Sequence, residues 1–173
     1  MTRQSANYNI QRFDVPKTSG ELFQNPDHDM ALGAIMLYGN VFMPNIDDAE
    51  AMQRNDEETV ALTLQSYFQA EGTHAYLATE KDQFDIVGVA NVLVDSEDDA
   101  YLRGIAVSPS QRNHGVGTAL MDKITSDMSE RGIETITIDA KIEAVPFFES
   151  LGFDKVERSP RENDTWHMQV RIA

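Results

Sequence analysis

The chain has 173 residues, enough for about one domain with a single sizeable core. With 29 acidic against 14 basic residues its formal charge is −15, a field that repels polyphosphate and anionic bilayers and so argues against nonspecific nucleic-acid binding and against docking on a membrane surface. There is no cysteine, which removes disulfides, thiolate catalysis and cysteine-ligated metals, and no run approaches the roughly 20 apolar residues of a membrane span.

Residues 1–7 lead into no apolar stretch, so no signal peptide is read and a cytoplasmic location is expected. Asn163-Asp164-Thr165 then counts as a chance match to a glycosylation sequon. Tyr8 to Val15 alternates as a strand does. An apolar helix is predicted from Met30 to Met43, stopped by Pro44, and a second from Asp48 to Ala70, with Asp48 as N-cap and Gly72 past its end. Strands follow at His74 to Thr79, at Ile86 to Val94 and at Tyr101 to Val107. The middle one is apolar enough to be buried on both faces. The period then changes. Val116, Ala119, Leu120, Ile124 and Met128 share one face of a helix that Gly132 ends. Thr135 to Asp139 alternates as a strand, and Ala144 to Leu151 suits a short helix closed by Gly152. Phe153 to Arg158 and Thr165 to Arg171 complete a hairpin. The sum is an α/β fold with one mixed sheet in a single domain, residues 1–173.

The segment from Tyr101 to Leu120 holds the chemistry. A strand ends, a short loop carries Gly115 and Gly117, and a helix starts on them. A helix N-terminus leaves backbone N–H groups unpaired and carries about half a positive charge, so it suits an anion even in an acidic protein. Glycines at 115 and 117 remove Cβ atoms that would keep a phosphate from those amides. Gly117→Trp is therefore expected to abolish phosphate binding with the fold intact. Arg112, His114 and Thr118 add side-chain donors. Two phosphate motifs are rejected: no Lys-Ser or Lys-Thr follows Gly117, and Leu120 stands where the dinucleotide fingerprint needs glycine or alanine. A plain turn remains the alternative on glycine spacing alone.

Arg112-x-x-Gly115-x-Gly117, after Leu-Arg-Gly-Ile-Ala-Val-x-Pro, resembles the acetyl-CoA signature of the GNAT superfamily of N-acetyltransferases. Ala144-Val145-Pro146-Phe147-Phe148-Glu149-Ser150-Leu151-Gly152-Phe153 is similar to that family's second signature, in the right order and at the right spacing. Asp139-Ala140-Lys141 and Trp166-His167-Met168 resemble a bacterial subgroup more weakly. The likeness spans roughly residues 73 to 170. It implies a twisted, mostly antiparallel mixed sheet of six or seven strands, flanked by about four helices, with strands splayed at the CoA site. It implies acetyl-CoA as co-substrate, its pantetheine arm paired with Ile105, Ala106 and Val107 and its pyrophosphate on the amides of Arg112, Asn113, His114, Gly115, Val116, Gly117 and Thr118. Many members carry glycine where Asn113 stands, and asparagine tolerates the left-handed backbone better than most residues.

The family's reaction is attack of a neutral amine on the thioester. Deprotonating a lysine of reference pKa near 10.4 at pH 7 costs roughly 4.6 kcal/mol, and an α-amine near 7.8 only about 1 kcal/mol. A lysine or polyamine acceptor therefore needs a base. Asp139, at a strand end, is the first candidate, with a turn cap as its alternative role. His167 is a further catalytic candidate, with a structural hydrogen bond as its alternative role. The tyrosine that often protonates the leaving thiolate corresponds to Phe148, which has no proton to give. Either the thiolate leaves unprotonated or takes a proton from water, or His167, Tyr101 or Tyr76 is the donor, and a CoA-binding sensor or partner module of weak activity is the alternative function. Arg103 orients a substrate carboxylate or pairs with a neighbouring acid. Tyr38, Phe42 and Tyr76, with Met43, Asp47 and Asp48, are candidates for the acceptor pocket. His28 and His74 have no partners at metal-ligand spacing, so no metal is proposed. The expected partners are acetyl-CoA and an amine, a small cation or a protein lysine or N-terminus. A homodimer is possible. Neither nucleic acid nor membrane is expected.

Overall fold

The computed structural model describes residues 8–13, 33, 37, 71–81, 85–94, 96–158 and 164–173. Seven strands form one sheet: β1 (Tyr8–Phe13), β2 (Thr73–Glu80), β3 (Ile86–Val94), β4 (Asp99–Val107), β5 (Thr135–Lys141), β6 (Asp154–Arg158) and β7 (Thr165–Arg171). Their order across the sheet is β1-β2-β3-β4-β5-β7-β6. Only β4 and β5 run parallel. A parallel pair needs a crossover, and helix α1 (Val116–Glu130) supplies it. The closing hairpin turns back so that β7 lies between β5 and β6.

Each strand follows from its side chains. β3 is buried over most of its length, as its apolar run requires. β5 alternates, with Ile136, Ile138 and Ala140 buried and the residues between them half-buried. α1 buries Val116, Ala119, Leu120, Met121, Ile124 and Met128, the expected stripe with Met121 added. This stripe covers the face of the sheet that carries Tyr76, Ala90, Val92, Ala100 and Leu102.

Both helices stop by the same device. After α1, Gly132 donates to Ser129 O and Ile133 to Met128 O, at 3.0 Å each, and Gly132 has φ 87°. After α2 (Val145–Ser150), Gly152 donates to Glu149 O at 3.0 Å and Phe153 to Phe148 O at 3.1 Å, with φ 90° at Gly152. These are Schellman closures, which need a left-handed residue and place an apolar contact across the stop. The contact after α2 is Phe148 edge-on to Phe153, ring centroids 5.3 Å apart. Leu151-Gly152-Phe153 is thus the helix stop itself.

Two α-helices lie among the described residues, against the four expected to flank the sheet. The helices predicted over 30–43 and 48–70 fall outside the described residues, apart from Gly33 and Leu37, which are helical. No helix among the described residues is long and apolar enough to cross a membrane.

Candidate active site

β4 and β5 pair at only three positions: Asp99 with Thr135, Ala100 with Ile136, and Tyr101 with Thr137. Beyond that point they part. The cause is visible on the other side of β4. Its register with β3 steps from Val92–Leu102 to Asn91–Gly104, so Arg103 is the extra residue of a β-bulge. A bulge bends its strand and sharpens the twist, which steers β4 away from β5. It also shifts the alternation. Leu102 lies opposite Val92 and Ile105 opposite Ala90, so both sit on the α1 face although their numbers differ in parity.

A cleft of about 1100 Å³ occupies the gap. One wall is Tyr101, Arg103, Gly104, Ile105, Ala106 and Val107 of β4. The opposite wall is Ile138, Asp139, Ala140 and Lys141 of β5, continued by Glu143, Ala144, Phe147 and Phe148, with Thr165 of β7. Gln111, Arg112, Asn113, Gly115, Val116, Gly117 and Thr118 close one end. Of the predicted loop residues, His114 does not line the cleft and is exposed.

The loop end is made of backbone. A short 3₁₀ turn, Pro109–Gln111, precedes it, and Asn113 takes the left-handed conformation at φ 64°. Gly115 caps α1 at φ 87°, and a Cβ there would meet nothing within 4 Å. Its glycine is required by conformation. Gly117 has another reason. A Cβ there would lie 3.0 Å from Phe147 Cζ, so this glycine admits the ring of α2 against the first turn of α1. That corrects the expectation for Gly117→Trp: a bulky residue at 117 must displace Phe147 and disturbs packing as well as ligand access. Arg112 Nε donates to Val107 O at 3.3 Å, which ties the guanidinium to the end of β4. Gln111 braces the loop from behind, donating to Glu80 Oε1 at 2.6 Å and accepting from Tyr8 Oη at 3.2 Å.

The other end is made of side chains on the opposite face of the sheet. Tyr101 is the last residue of β4 still paired to β5, at the root of the fork. Asp139 lies two residues beyond Tyr101's partner, directly opposite His167 on β7. Tyr101 Oη donates to Asp139 Oδ2 at 3.2 Å, and His167 Nδ1 lies 3.0 Å from Asp139 Oδ1. The Asp139 side chain is 19% exposed and that of His167 32%; Tyr101 and Asp139 line the cleft, and His167, which does not, reaches it through its contact with Asp139. Lys141 and Thr165 form the next pair on the same face of these two strands. The gap between β4 and β5 thus joins the helix terminus on one face to a carboxylate on the other.

Tyr76 belongs to neither end. It is 0% exposed, does not line the cleft, and faces α1. Burial first, then the negative charge of Asp127, push its hydroxyl well above the usual tyrosine pKa. It is a core residue, which corrects its assignment both to the acceptor pocket and to proton donation. Phe148 is 2% exposed, with its ring 5.0 Å from that of Phe147, and offers the cleft an apolar edge. Tyr38, Phe42, Met43, Asp47 and Asp48 lie outside the described residues. Sequence reading missed Gln111, Lys141, Glu143 and Thr165 as lining residues. The Asp139–His167 register was beyond it too, because it depends on β7 entering between β5 and β6.

A model of the acetyltransferase (GNAT) domain matches residues 46–173, and the chain belongs to this family. Among curated relatives, the [ribosomal protein bS18]-alanine N-acetyltransferase of Escherichia coli K12 is 33% identical over 90 residues, which is 50% of this chain and 59% of that protein. The histone acetyltransferase TAP1 of Glycine max is 30% identical over 73 residues, 42% of this chain and 32% of that protein. The chain thus spans between a third and three-fifths of the length of these two relatives. Among solved structures, Tetrahymena GCN5 superposes with a TM-score of 0.69 at 15% identity, over 95% of this chain and 96% of that one. An aminoglycoside 6'-N-acetyltransferase complexed with coenzyme A gives 0.68 at 17%, over 95% and 97%. These two likenesses concern the fold.

Proposed function

We propose that the chain is an N-acetyltransferase, which holds acetyl-CoA in this cleft and transfers its acetyl group to a primary amine by direct attack in a ternary complex. The observation that carries the reading is the through-sheet cleft: helix-terminus amides at one end, a hydrogen-bonded carboxylate at the other, and between them a stretch of β4 paired to β3 but not to β5. CoA fits those groups. The parted half of β4 offers backbone N–H and C=O groups of Ile105, Ala106 and Val107 to an extended amide-bearing arm. The amides from Arg112 to Thr118, with the Arg112 guanidinium, suit a pyrophosphate. A backbone N–H of β4 is the natural donor for the tetrahedral oxyanion.

The amine approaches from the face that bears Asp139 and must lose a proton before it attacks. Phe148 has no proton for the departing thiolate, and the Tyr101 hydroxyl is already engaged by Asp139. The thiolate is then protonated by the amine's own second proton or by water. The charge of −15 favours a cationic acceptor. The E. coli relative, named for acetylating an alanine of a ribosomal protein, supports a protein N-terminus as one such acceptor. Incubation with acetyl-CoA and a panel of α-amino peptides, lysine peptides and small amines, read by release of free thiol, tests the reading. Thiol release above background with at least one amine is expected. Tight CoA binding without release from any amine would instead favour a CoA-binding module, the reading that Phe148 supports.

A further inference from the structure

We infer that the proton acceptor for the incoming amine is Nε2 of His167, and that Asp139 is a positioning residue that holds the imidazole, with Tyr101 fixing its second oxygen. This deepens the acetyltransferase reading and rests on it. An ionised carboxylate only accepts hydrogen bonds. Both oxygens of Asp139 have partners, Tyr101 Oη on Oδ2 at 3.2 Å and His167 Nδ1 on Oδ1 at 3.0 Å. The hydrogens in both contacts must therefore come from Tyr101 and His167. A neutral imidazole with its hydrogen on Nδ1 carries a lone pair on Nε2. Asp139 thereby selects the tautomer in which Nε2 carries the lone pair. The arrangement follows the acid-oriented histidine logic of hydrolase triads, built here on three strands.

The geometry of the sheet supports this division of roles. Asp139 and His167 are directly opposed on adjacent antiparallel strands, where side chains on one face lie closest. Tyr101 stands at the root of the β4–β5 fork, so its hydroxyl spans the gap to Asp139. The proton balance closes. His167 Nε2 takes one proton from the ammonium group, and the neutral nitrogen then attacks the thioester carbon. The C–N bond forms and the C–S bond breaks. The second N–H proton passes to the thiolate to give CoA as its thiol, and His167 returns its proton to solvent.

The test uses the full chain with His167→Ala, His167→Gln, Asp139→Asn and Tyr101→Phe, assayed on one lysine peptide and one α-amino peptide. CoA affinity serves as the check of folding. His167→Ala and His167→Gln are expected to lower kcat on the lysine peptide about 100-fold or more, with a smaller loss on the α-amino peptide, which needs less help to lose its proton. CoA affinity should stay within about twofold, the scatter expected when no contact to the ligand is removed. Added imidazole should restore part of the kcat of His167→Ala and none of that of Asp139→Asn. A bound imidazole needs the carboxylate to orient it, and an amide in its place holds the wrong tautomer. Tyr101→Phe should cost several-fold in kcat, of the order of one hydrogen bond. Wild-type kcat in both His167 variants beside an inactive Asp139→Asn would make Asp139 the base and overturn the inference, while the acetyltransferase reading stood. Absence of thiol release by the wild type would instead remove that reading.

Discussion

At the α1 end of the cleft the chain presents backbone amides and one guanidinium; at the β5 end it presents Tyr101 and Asp139, with His167 joined to Asp139 from a third strand. The first end is assembled within Val107 to Thr118, one stretch of chain, and its groups are oriented by a helix terminus and a left-handed turn. The second is assembled from Tyr101, Asp139 and His167, whose positions follow from register alone. Backbone groups suit a ligand part common to every turnover, because any residue supplies an N–H. Side chains suit the proton transfer, because it needs one titrating group at one point. The difference predicts that substitutions at the two ends separate binding from catalysis.

The largest separation is expected from His167→Ala, with kcat on a lysine acceptor down about 100-fold or more and the Kd for CoA unchanged, read by thiol release and calorimetry. Gly115→Ala should do the reverse. A residue with a Cβ at φ 87° is strained by about 1–2 kcal/mol, so CoA should bind roughly 5- to 30-fold more weakly while kcat at saturation holds. Gly117→Ala offers a control: it crowds Phe147 and should lower Tm, and Phe147→Leu in the same chain should return part of the loss. Arg112→Ala should weaken CoA binding by about tenfold and flatten its dependence on salt, because a charge-assisted hydrogen bond is lost. If the −15 charge attracts the acceptor, raising salt should raise the acceptor KM more than it lowers kcat; a flat profile would return the charge to solubility.

The smallest effect lies outside the cleft. The raised pKa of Tyr76 means that its neutral form is favoured in the folded chain. The unfolded chain ionises first, near pH 10, so this contribution is complete below that pH and is lost as pH rises further. Tyr76→Phe should lose less stability than the wild type in urea melts between about pH 10 and 11, with no difference between them in slope at pH 7.

Much of the fold was legible because its signals are local. The alternation in β5, the stripe of α1 and the two glycine stops each lie within a few residues of what they specify. The left-handed conformation at Asn113 follows from the same local chemistry. Gly117 was legible as a glycine but not in its reason, since the ring it admits comes from Phe147, thirty residues later. Tyr76 was misassigned because a tyrosine in a strand reads alike whichever face it takes; only the pairing with Ala90 puts it beneath α1. The bulge at Arg103 left no mark in the alternation of β4, yet it shifts which residues face α1 and helps to part the strands.

By itself, then, the sequence determined the helix terminus that faces the cleft, the left-handed glycine that caps it, and a side chain with no proton to give at Phe148, because these depend on neighbours along the chain. Only the tertiary structure decided that His167 stands on Asp139, that Tyr101 reaches across the fork, and that Tyr76 is core. Those facts are set by strand order and register, in which β7 enters beside β5, and a slip of β7 by one residue would turn His167 to the other face.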